Sequence, residues 1–114
     1  MSALGVFNST TSTAILMYSH GIEITDAAHP IYSRSYSKLG NDNALNGCGD
    51  DKKCTIDIVA LTNEGESIDI GNIIVAMDNK MQIFQINSLP DSKYKITKQD
   101  GINSIEITQN TSGN

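Results

Sequence analysis

The chain has 114 residues, 39% of them hydrophobic and 18% charged, with thirteen acidic against eight basic side chains and a net charge of -5. That length suits one domain, expected to span residues 1–114, and leaves little material for a second core. An acidic chain whose lysines are scattered is repelled by phosphate backbones and anionic lipid, so neither a nucleic-acid partner nor membrane insertion is expected. The longest apolar runs, 14–18 and 73–77, are far shorter than a bilayer span.

Sixteen residues are Ile and only six are Phe or Tyr, which concentrates the apolar material in a side chain whose branched Cβ favours strands. At the N-terminus, residues 1–7 lack the basic and apolar regions of a signal peptide. Two explanations stand: a cytoplasmic protein, or a mature exported one whose leader has been removed. Residues 13–18 and 22–25 then read as strands, and 31–36 as a third with alternating character. Between them, Pro30 disfavours helix at His29 and allows no more than one helical turn.

The stretch 40–54 is polar and turn-rich and carries the only two cysteines, Cys48 and Cys54, separated by five residues. Such a spacer can fold back to bring two Cα atoms within disulfide reach, so a local disulfide is expected. Free thiols are the alternative, and a zinc site would need two further ligands nearby. A disulfide favours the periplasm or the cell exterior. The Asn and Asp residues of the same stretch suit calcium as donors, but their order does not match an EF-hand loop.

Past the cysteines the pattern is clearer. Residues 55–62 alternate, and Asn63-Glu64-Gly65-Glu66 supplies a turn into a strand over 67–77, interrupted at Gly71-Asn72 where a bulge would sit. Ile73-Ile74-Val75 reads as buried on both faces. Asp78-Asn79 turns the chain into 81–86, Leu89-Pro90 breaks it, and Asp100-Gly101 joins 94–97 to 104–108, so the C-terminal half reads as a five-stranded meander. Together these elements predict an all-β, antiparallel β-sandwich of the Ig-like or a related kind, with about eight short strands, a small β-barrel as the alternative, and a polar tail at 110–114.

Residues with chemical potential are few. His20, Glu23, Asp26 and His29 follow one another at intervals of three and are the right types for a transition metal. Neither a strand nor a helix gathers that spacing on one face, so a site there requires a loop. No Gly-x-Ser-x-Gly elbow surrounds any serine, and no glycine-rich loop opens into a phosphate-binding helix. Asn8-Ser9-Thr10 and Asn110-Thr111-Ser112 match the glycosylation acceptor pattern, as an Asn-rich and Ser/Thr-rich chain does by chance. If 31–36 is one strand, Tyr32, Arg34 and Tyr36 share a face, and two Tyr beside an Arg form a patch suited to a sugar or a protein partner.

The sequence therefore predicts a non-catalytic, secreted or periplasmic bacterial binding module for a protein or carbohydrate ligand, with no cofactor. One alternative is a small metal-dependent enzyme built on the His20 to His29 segment. Another is a cytoplasmic acidic inhibitor or adaptor, which requires free cysteines.

Overall fold

A computed structural model describes residues 3–19, 22–25, 30–40, 53–76, 82–89, 93–99 and 104–109. These form nine strands: β1 (Ala3–Asn8), β2 (Ala14–Ser19), β3 (Ile22–Glu23), β4 (Ser35–Gly40), β5 (Lys53–Leu61), β6 (Ser67–Ala76), β7 (Gln82–Ser88), β8 (Tyr94–Lys98) and β9 (Ser104–Gln109). They divide into a four-stranded sheet, ordered β4-β1-β9-β8, and a five-stranded sheet, ordered β3-β2-β5-β6-β7. The protein is an all-β sandwich. Among the described residues no backbone ladder joins the two sheets into a barrel.

The period-two pattern explains the core directly. Leu4 and Val6 of β1, Ile96 of β8, and Ile105 and Ile107 of β9 point inward from the smaller sheet. Ile15 and Met17 of β2, Ile56 and Ile58 of β5, and Ile73 and Val75 of β6 meet them from the larger one. Each such side chain, fully withdrawn from water, contributes on the order of 1.5–3 kcal/mol. Cys54 is also buried, its Sγ 2.9 Å from Ser19 Oγ, and the described residues include no free cysteine. Cys48 lies outside the described residues, as do the turn pairs Asp78-Asn79 and Asp100-Gly101, the segment 41–52 and the tail 110–114.

The bulge expected at Gly71-Asn72 is present, one residue earlier. Ile58 pairs with Gly71 and Val59 with Asp69, so Ile70 is the extra residue in β6. Its effect is to reset the phase of the strand. Ile68 and Ile70 face the core before the bulge, and Ile73 and Val75 after it, while Ile74 is only half-buried and not enclosed on both faces. Gly71 has φ of 135°, and a Cβ there would overlap the carbonyl oxygen of Asn87 on β7.

Three sequence expectations change. β1 carries no expected strand, yet it is an interior strand of its sheet, antiparallel to β4 and parallel to β9, so the sandwich is not wholly antiparallel. The five-stranded meander is split: β5, β6 and β7 stay in one sheet, whereas β8 and β9 form a hairpin in the other. Ser88, at the end of β7, spans the gap, its hydroxyl accepting from Ile96 N at 3.0 Å and lying 3.3 Å from the Ile96 carbonyl. Finally, 31–36 is not one strand. Ile31 makes an isolated bridge to Ile15, residues 33 and 34 turn with Arg34 at φ 62°, and β4 begins only at Ser35.

The cause of that last change is Asn8, 1% exposed at the end of β1. Its Nδ2 donates to the Thr13 carbonyl at 2.8 Å and the Ile31 carbonyl at 2.7 Å. Its Oδ1 accepts from Thr10 N at 3.1 Å and Thr10 Oγ1 at 2.7 Å, and its own carbonyl accepts from Arg34 N at 2.6 Å. One side chain thus fixes the β1–β2 corner and the approach to β4. A glycan on Nδ2 is incompatible with this arrangement, so the Asn8-Ser9-Thr10 pattern is not an acceptor in the folded chain.

Asn8→Ala removes four buried hydrogen bonds at once and leaves the Thr10 N–H without its acceptor, although the Thr13 and Ile31 carbonyls keep Thr10 Oγ1 and Ile15 N as donors, and it is expected to cost about 2–4 kcal/mol in urea unfolding. Gly71→Ala is expected to cost about 3 kcal/mol, from the positive φ and the clash with β7 together, measured in the same way.

Candidate functional site

The sandwich presents an open cleft at one end. Three parts of the chain build it: the corner between β1 and β2, the turn between β5 and β6, and the crossing from β7 to β8. The turn is closed by its own backbone, with Thr62 N donating to Glu66 O at 2.9 Å, Gly65 N to Thr62 O at 2.9 Å, and Glu66 N to Thr62 Oγ1 at 3.1 Å. This fixes the backbone that carries Asn63, Glu64 and Glu66 along one wall, beside Asp69 at the start of β6.

The cleft has a volume of about 710 Å³, within the range of small-molecule sites. Ile68, Leu89 and the Tyr94 ring supply its apolar surface, and Lys93 and Gln109 stand among its polar groups. Tyr94 is nearly buried, and its hydroxyl lies 2.9 Å from Thr13 Oγ1, which ties the start of β8 to the β1–β2 corner. Asp69 Oδ1 accepts from Gly71 N at 3.1 Å, so the bulge also orients that carboxylate. No hydrogen bond or ion pair among the described residues engages the Glu64 or Glu66 carboxylate. Nor do the described residues contain a group of three His, Cys, Asp or Glu side chains arranged to hold a metal ion.

A second cleft of about 450 Å³ adjoins the first and shares Ser12, Thr13, Thr62 and Asn63 with it. Tyr32 lines this second part, together with Pro30 and Ser33, and is 56% exposed.

The residues singled out from sequence are distributed differently. Tyr32 is at the end clefts, Arg34 is exposed on the turn that precedes β4, and Tyr36 is on the outer face of the smaller sheet. With 31–36 broken by that turn, the three do not form the single face that a continuous strand would give. Tyr36 packs instead against Phe7, with ring centroids 4.3 Å apart and planes inclined at 42°. Gly5 makes room for this, since a Cβ at that position would come within 2.7 Å of the Tyr36 hydroxyl. Of the proposed metal ligands only Glu23 is described; it is half-buried, and its Oε2 accepts from Thr25 Oγ1 at 3.1 Å. His20, Asp26 and His29 lie outside the described residues.

The end cleft has no linear signature because its walls come from residues near 12, 62–69, 89–94 and 109. The available signal was composition: two Glu in a four-residue turn, with Asp69 three residues further on.

No family model matches the chain, and no curated protein matches it. Among solved structures it is similar to the crystal structure of the Legionella pneumophila type II secretion system substrate NttC, with a TM-score of 0.75 and 22% sequence identity over 96% of this chain and 99% of that one. That likeness establishes a shared fold.

The Phe7–Tyr36 contact is expected to give a coupling energy of about 0.5–1.5 kcal/mol in a double-mutant cycle of Phe7→Ala and Tyr36→Ala followed by urea unfolding. Additive single-mutant effects would mean that the rings touch without stabilising the sheet.

Proposed function

We propose that the chain is an exported bacterial protein that acts as a non-catalytic binding module, holding its ligand in the end cleft. The observation that carries this reading is the cleft itself: about 710 Å³ of space, framed by a turn closed on its own backbone and lined in part by the Glu64 and Glu66 carboxylates, which no other described residue engages. A binding role asks only that such groups be held in place.

Export is supported from two directions. The similar structure is, by its title, a type II secretion system substrate. The described cysteine, Cys54, is not a free thiol, which fits a Cys48–Cys54 disulfide and an oxidising compartment better than a cytoplasmic adaptor.

Protein isolated from its native host is expected to be found outside the cytoplasm and to take up an alkylating reagent at both cysteines only after reduction. Immediate alkylation without reductant would return the protein to the cytoplasmic reading. For the cleft, Asn63→Trp places a bulky ring on the wall shared by the two clefts. Immobilised protein is expected to retain a component of an envelope or host-surface extract, with hydrogen-exchange protection at residues 62–69 and 93–94, and the variant to lose that retention at least tenfold. Equal retention by the variant would move the binding site elsewhere.

A further inference from the structure

We infer that the ligand of the end clefts is a neutral oligosaccharide, bound along both clefts with one sugar ring against Tyr32; this rests on the binding reading above and names its ligand class. The two clefts share Ser12, Thr13, Thr62 and Asn63, so they adjoin along those residues and are treated together as one trough. The trough offers acceptors, donors and an exposed aromatic ring together, and that combination narrows the chemistry.

Consider each class of ligand in turn. A polyanion meets Glu64, Glu66 and Asp69 on a chain whose net charge is already -5, and like charges in one cleft oppose it. A strongly basic peptide gains from the carboxylates but also meets Lys93 in the same cleft. An apolar ligand would strip water from the Glu64 and Glu66 carboxylates, which have no partner of their own among the described residues.

A sugar hydroxyl both donates and accepts, so it can donate to a Glu64 or Glu66 oxygen while accepting from Lys93 or from the amide of Asn63. The C–H face of a sugar ring is apolar and flat, matched to an aromatic ring that keeps a polar tip in water. Tyr32, 56% exposed on the rim, supplies such a ring. The Asn8 hydrogen bond to the Ile31 carbonyl holds the residue immediately before it, so the ring is carried on an anchored backbone. Glu66 is held likewise by the closed turn, with both its N–H and its carbonyl engaged by Thr62. A site whose groups are positioned before the ligand arrives loses less entropy on binding.

The test uses the whole folded chain on two arrays, one of neutral and acidic glycans and one of peptides with graded basic content. Hits are followed by calorimetry with Tyr32→Ala and Glu66→Gln, both exposed positions whose variants are checked for an unchanged thermal midpoint. The expected result is binding to neutral glycans, at least tenfold weaker in each variant and little changed between low and moderate salt. Binding confined to basic peptides, lost in Glu66→Gln and steeply weakened by salt, would overturn the sugar assignment and leave the cleft as a binding site. Glycan binding that neither variant weakens would overturn the placement in the trough. Silence on both arrays, with Asn63→Trp also without effect on retention from extract, would remove the binding reading together with this inference.

Discussion

A single buried amide organises this fold. Asn8 uses both protons of Nδ2 and both acceptor sites of Oδ1 within the protein, and its backbone carbonyl takes a further bond from Arg34. Full satisfaction is what makes a buried Asn tolerable, because each unpaired group costs on the order of 1–3 kcal/mol. The same requirement makes it specific, since any other geometry has to satisfy each of these groups again. Through Thr10 and Thr13 the amide sets how β1 hands over to β2, and through Ile31 and Arg34 it sets how the chain returns to the smaller sheet as β4. The end clefts sit on these same segments, so the shape of the candidate site descends from one residue that is not part of it.

How far the architecture could be read from the sequence follows from what period-two alternation encodes. It assigns a face to each side chain, and so the all-β class, the strands over 55–62, 67–77, 94–97 and 104–108, and the bulge near Gly71 were all legible. It does not say which strand lies beside which. The division of the C-terminal half between two sheets turns on Ser88 meeting Ile96 across the gap, a contact with no pattern in either segment. β1 is short, and its outward position Gly5 carries no side chain to mark the alternation between Leu4 and Val6, because the Tyr36 ring lies over it.

The candidate site was less legible than the fold, for a related reason. Tyr32, Arg34 and Tyr36 alternate as a strand does, but the alternation yields to Asn8, which draws the Arg34 N–H into a turn at positive φ. A local pattern was overridden by a partner more than twenty residues away. Tyr32 nevertheless belongs to the clefts, although as their rim and without its two expected companions. The carboxylates of the β5–β6 turn were visible as residues and silent as a site, because the groups facing them arrive from β8, β9 and the β1–β2 corner.

The parallel pairing of β1 with β9 has a consequence for how the protein comes to be folded. Residues 5–8 lie beside residues 104–107, so the interior ladder of the smaller sheet closes only when nearly the whole chain is available. Contacts of such sequence separation are slow to form and contribute late. During synthesis β1 has β4 to pair with and nothing on its other side, while Leu4 and Val6 wait for the opposing β9 residues to help enclose them. A chain that emerges gradually is therefore kept from completing this sandwich until its last strand arrives, which extends the interval in which it can be handled unfolded.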